Sequence, residues 1–204
     1  PLVNREETWK DLGIQTPDGV VKKEVKMGTE PKGTVYINFH GEVKYDWKIK
    51  TDVSIMSEIL TTRLLETIRE EESGVYSIGA YPSVDHFPSG EYGVTIYFGC
   101  DPERMDYLVD AVFAQIKKLQ TEGPSKEDLD KAIKKKLREQ ETGLRENRFW
   151  LNTLKNMDYH GMTTKDFNAY TDYLNSLDES KVMKMFSHYL RSDHYVEVVL
   201  KPLN

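Results

Sequence analysis

The apolar residues of this chain change their spacing several times, and the order of those changes restricts the fold. Val35, Ile37 and Phe39 alternate with Tyr36 and Asn38, the period of two that turns one face of a strand toward a core. Alternation returns at Val75–Pro82, at Tyr92–Cys100 and in a closing stretch, His194–Lys201. Val20–Met27 sets Val20, Val21 and Val25 among lysines and reads as a further strand. In Asp52–Glu71 the period lengthens: Val53, Met56, Ile59, Leu60, Leu64 and Ile68 recur every three or four residues. That spacing predicts a helix, capped by Thr51 or Asp52 and stopped at Ser73-Gly74. Asp101-Pro102 opens a second helix, with Met105, Leu108, Val109, Val112, Phe113, Ile116 and Leu119 on one side, broken at Gly123-Pro124. Ser125 to Asp128 is a capping-box-like start for a third. Further helical segments are expected at Arg145–Tyr159, Lys165–Leu174 and Glu179–Leu190.

Strands joined by short turns pair antiparallel, and a run of helices must lay its apolar stripes on one sheet face. The expected fold is therefore α+β: a two-layer sandwich of a mostly antiparallel sheet with helices on one face. Residues 1–18 are polar and punctuated by Gly13 and Pro17, and read as a linker or the trailing segment of a preceding domain. Residues 19–204 read as a single domain. The first residue is Pro1, not Met, so the chain is expected to be part of a longer protein.

Composition closes several functional classes. With 28 Lys+Arg against 34 Asp+Glu the net charge is −6, and no nucleic-acid partner is expected without a single-sign basic footprint. Lys131, Lys134, Lys135, Lys136 and Arg138 do cluster, but Glu127, Asp128, Asp130, Glu139 and Glu141 surround them, so they read as a solvated face. No apolar run reaches the roughly 20 residues that cross a bilayer, and no membrane-spanning segment is expected. One cysteine, Cys100, excludes an intrachain disulfide and any cysteine-based zinc or iron–sulfur site.

Known catalytic patterns are also missing. Neither common phosphate loop is present, and Tyr76-Ser77-Ile78-Gly79 lacks the first glycine of a nucleophile elbow. His40-Gly41-Glu42 matches half of a zinc deaminase motif, whose second half needs two cysteines. His40, His86, His160, His188 and His194 never fall four apart on a helix, so neither H-E-x-x-H nor H-x-x-E-H is present. His188, Asp193 and His194 flank one helix-to-strand turn, where a solvated helix end is the plainer reading. Glu70, Glu71 and Glu72 point in different directions around a helix and read as its solvated end. One pair has a more definite geometry. Arg69 lies in the last turn of the first long helix, and Tyr76 lies just inside the next strand. If the break between them folds the strand back, a guanidinium and a phenol can converge on a carbonyl, carboxylate or developing oxyanion. A helix-end cation and a strand aromatic are the ordinary alternative.

The segment from Leu64 to Gly79, with Arg69-Glu70 and Tyr76-Ser77 at its centre, resembles the R-E…Y-S segment in the non-catalytic domains of pitrilysin/insulinase-type zinc peptidases, the inverzincins. Glu91 to Phe98, Pro102-Glu103-Arg104 and Glu122 to Ser125 extend the resemblance from about Pro17 to Pro202. In that family four homologous α+β domains close around a chamber. The first domain carries the inverted zinc motif; the last carries no metal ligands but contributes an Arg and a Tyr that reach the substrate. The resemblance thus implies a C-terminal, non-catalytic domain of a zinc metalloendopeptidase, with Arg69 and Tyr76 as substrate-binding residues and no catalytic residue in this chain alone. It implies zinc in the parent enzyme and none on this chain, which lacks the motif and should be inactive by itself. The implied partners are a peptide substrate and the other domains of the parent chain, or a partner subunit if the parent is of the shorter two-subunit type. A periplasmic or otherwise exported bacterial parent is the setting the resemblance suggests. The alternative is a structural or assembly homologue with no role in catalysis.

Overall fold

The computed structural model describes residues 10, 12–71 and 75–203, with the backbone alone at 69–71 and 76. The expected helix stop at Ser73-Gly74 and most of the expected linker, residues 1–9 and 11, lie outside the described residues. The strands are β1 (Val20–Lys26), β2 (Gly33–Glu42), β3 (Val75–Asp85), β4 (Glu91–Cys100) and β5 (Tyr195–Lys201). They form one sheet in the order β1-β5-β2-β4-β3. Pairing is antiparallel at β5–β2, β2–β4 and β4–β3, and parallel at β1–β5, where Val20 stands beside Tyr195 and Lys26 beside Lys201. This is the expected α+β sandwich.

The period-two residues account for the sheet's two faces. Val35, Ile37 and Phe39 on β2 and Val94, Ile96 and Phe98 on β4 are fully buried. They lie under α1 (Trp47–Leu64), α2 (Met105–Glu122) and α6 (Glu179–Tyr189), which pack against one another. Outside this layer α3 (Lys126–Gly143) packs on α1, and α4 (Asn147–His160) and α5 (Thr164–Asn175) pack on α3. The opposite sheet face carries no helix among the described residues.

The first helix differs from its expected bounds at both ends. It begins at Trp47, where the Asp46 carboxylate accepts a hydrogen bond from the Lys48 N–H at 2.8 Å. Thr51 and Asp52, the expected caps, are interior. Thr51 Oγ1 donates to the Trp47 carbonyl at 2.9 Å, and Asp52 accepts from the Tyr173 hydroxyl at 2.5 Å. Trp47 and Ile49 alternate locally, which conceals a helical turn whose stripe begins only at Val53. At the other end the α-helix stops at Leu64 and continues as a π-helical segment, Leu65–Glu71. Asp101 likewise caps a 3₁₀ turn, Pro102–Arg104, before α2 begins at Met105.

β3 is an outer strand, and an unpaired strand edge invites further pairing. Thr61 on α1 occupies part of it: Ala80 N–H donates to Thr61 Oγ1 at 2.9 Å, and the same hydroxyl reaches the Ala80 carbonyl at 3.4 Å. Because main-chain groups alternate sides along a strand, Pro82 presents the same edge, and proline has no N–H to offer there. Replacing Thr61 by Val keeps the shape but leaves the Ala80 N–H unpaired. We expect a loss of about 1–2 kcal/mol in urea unfolding, with Thr61→Ser retaining most of it; equal stability of all three proteins would remove Thr61 from the edge.

Candidate functional site

Arg69 and Tyr76 occupy two consecutive backbone irregularities. Arg69 is in the π-helical segment after α1. At the start of β3, Val75 pairs with Cys100 but Ile78 pairs with Phe98, so three steps on β3 match two on β4. Tyr76 lies within this bulge. Wide helical turns and bulges both re-aim side chains and recur at functional sites. The residue before each is anchored in the core: Ile68 is 1% exposed and Val75 9%. The segment is also tied at its start, where Arg63 Nη1 donates to the Glu66 carboxylate at 2.9 Å and Thr67 Oγ1 bonds to the Arg63 carbonyl.

The open sheet face begins beside this bulge. Tyr36 and Tyr97 are cross-strand partners, and Gly79 stands on the far side of Tyr97. A Cβ at Gly79 would come within 3.0 Å of the Tyr81 hydroxyl, so glycine there lets the Tyr81 ring lie across the strand. All three tyrosines are exposed, Tyr81 most of all. Thr95 Oγ1 donates to Asn38 Oδ1 at 3.1 Å among them. The half-buried Val196, Val198 and Leu200 of β5 and Val21 and Val25 of β1 continue the same face. A peptide lying here would meet aromatic and aliphatic surface with few charges.

The histidines form two groups that spacing alone did not reveal. His40 and His194 have ring centroids 4.6 Å apart at the ends of neighbouring strands. His86 in the β3–β4 loop and His160 at the end of α4 face one another through Nδ1 atoms 3.3 Å apart, with Tyr45 stacked on both rings. Strand register and a loop contact create these pairs, and the sequence carries no local signal for either. At the α6–β5 turn, two of the three residues noted in the sequence are engaged with neighbours. Arg191 Nε and Nη2 each donate to the Asp193 carboxylate at 3.0 Å, and His194 Nδ1 accepts from the Gly19 N–H at 3.1 Å. Among the described residues no group of three or more His, Cys, Asp or Glu side chains could hold a metal ion.

Burial holds His40 below the ordinary imidazole pKa, helped by neighbouring His194; burial, Lys50 and His86 do the same at His160. Folding therefore disfavours the protonated rings. Their contribution to stability is complete above the unfolded value of about 6.5 and is lost as pH falls below it. Thermal unfolding should shift to lower temperature between about pH 7.5 and 5.5, and His160→Gln should flatten that slope. An unchanged slope would exclude His160 as a contributor.

An open-faced α+β domain, with no metal-ligand cluster among its described residues, is the class of protein that fold and site define. Residues 6–136 match the family model described as the peptidase M16 inactive domain, and the chain belongs to that family. A zinc protease PQQL-like protein of Arabidopsis thaliana is 31% identical over 109 residues, which are 50% of this chain and 11% of that protein. The periplasmic protease PqqL of Escherichia coli has a similar fold, with a TM-score of 0.78 and 22% identity over 89% of this chain and 20% of the other. The peptidase M16 inactive domain from Pseudomonas fluorescens matches with a TM-score of 0.75 and 18% identity, over 94% and 46% of the two chains. The present chain thus spans about a tenth of that curated relative and a fifth of the Escherichia coli protein.

Proposed function

We propose that this chain serves as the substrate-facing wall of a zinc metalloendopeptidase whose metal is held by another domain of the same parent. Residues 19–204 act as one unit in this reading, supported by a single core cluster that extends from Val35 to Tyr195. The observation that carries the proposal is the coincidence of two backbone irregularities with the two residues singled out by the resemblance. A π-helical segment holds Arg69, and a strand bulge holds Tyr76.

A scissile carbonyl gains negative charge as water attacks. A phenol O–H and a planar guanidinium presented from an opposing wall strengthen their hydrogen bonds as that charge develops, and so act on turnover more than on binding. The substrate is taken to be an extended polypeptide, which pairs with a strand edge through its main chain. The β3 edge suits this only near Tyr76, since Thr61 and Pro82 close it further along.

In the full-length parent, Tyr76→Phe should lower kcat on the order of a hundredfold, the usual result of losing one oxyanion donor, with folding unchanged. Arg69→Lys should also impair turnover, because an ammonium cannot reproduce the guanidinium fork. Wild-type kcat/KM in both variants of an active parent would sink the proposal and leave the pair as structural residues. A parent without peptidase activity would favour the assembly homologue.

A further inference from the structure

At the end of the open face away from Tyr76, three acidic residues stand in one row. Glu42 on β2 is paired with Glu91 on β4, and Glu91 is paired on its other side with Asp85 on β3. Directly opposed like charges destabilise a sheet, so the row costs stability unless a cation accompanies it. Ser89 Oγ donates to Glu91 Oε1 at 2.8 Å, and no ion pair reaches any of the three among the described residues. Glu42 and Glu91 line a cavity of about 340 Å³ together with Asp18, His40, Arg191 and His194.

His40 supplies the independent observation. It is only 4% exposed, and neither ring nitrogen has a hydrogen-bond partner. Two orphaned polar atoms in a buried ring are unfavourable, and they call for an occupant with hydrogen bonds to exchange. Positive charge already present does not neutralise the site. Arg191 is held by Asp193, and His194 is engaged at Nδ1 by the Gly19 N–H. What remains is a cavity with the carboxylates of Asp18, Glu42 and Glu91 and an imidazole acceptor.

We infer that this cavity binds an alkylammonium group, such as a polyamine or a lysine side chain carries. A compact N–H donor cation satisfies the carboxylates and the acceptor nitrogen of His40 together. The described side chains do not group as metal ligands, and the Nδ1 lone pair of His194 is already taken by the Gly19 N–H. The site is separate from the proposed Arg69 and Tyr76 surface, and its test does not depend on peptidase activity.

Spermidine is the first probe, read by NMR of the His40 ring signals and by thermal unfolding of this chain. An acetylated, amidated lysine peptide is the second, and the stronger binder of the two identifies the source of the group. Choline, which has the charge but no N–H, is the control. Spermidine or the peptide should shift the His40 signals and raise Tm, and choline at equal ionic strength should do neither. Glu91→Gln should raise the ligand-free Tm by about 1–3 °C by relieving the opposed charges, while weakening spermidine binding at least tenfold. The inference is overturned if choline or sodium chloride reproduces the effect, if calcium binds more tightly at the same signals, or if neither amine moves them.

Discussion

Val35, Ile37 and Phe39 are shut away from water, and the strand that carries them is hydrogen-bonded on both sides. Every second residue of such a strand must point the other way, so this apolar set commits one face of the sheet to the core. The helices therefore gather over one side, and Tyr36 and Asn38 are committed to the other. From that choice follow the open face, the position of β3 as an outer strand, and the return of α1 over its edge. The π-helical segment and the bulge then lie at one end of β3, and the row of carboxylates at the other.

Where local chemistry and tertiary structure agree, the sequence is readable. β2, β4 and α2 carry clean periods, and the Ser125 cap is present as expected, with its hydroxyl accepting from the Asp128 N–H at 3.1 Å. The start of α1 is hidden because Trp47 faces an outer helical layer that a single stripe does not announce; Trp47 Nε1 donates to Asp166 on α5. The π-helical segment escapes a reading by period, since Leu64 and Ile68 fit an α-helix equally well. The parallel β1–β5 pair joins residues 175 positions apart, and no local pattern encodes so distant a register. For the candidate pair, the spacing of Arg69 and Tyr76 is visible in the sequence, but the two irregularities that set them off are not.

Three features depart from what stability alone would select: a widened helical turn, a bulged strand start, and carboxylates facing one another. Elsewhere the chain follows ordinary rules, with four helix-starting side chains, Asp46, Ser125, Thr163 and Asp178, each accepting a main-chain N–H. Proteins tend to break local consistency at sites under a second demand. Here the bulge and the carboxylates are built into the sheet, and the widened turn continues α1 beside β3 and α2.

The parallel pairing of β1 with β5 has a mechanical consequence. The two strands run side by side in the same direction, with Val20 beside Tyr195 and Lys26 beside Lys201. Tension entering through residues before Val20 and leaving through residues after Lys201 pulls the two strands lengthwise past each other. Their hydrogen bonds are then loaded together in shear, instead of opening one after another as in an unzipping hairpin. A domain laced this way meets such tension with all the bonds of that outer pair at once.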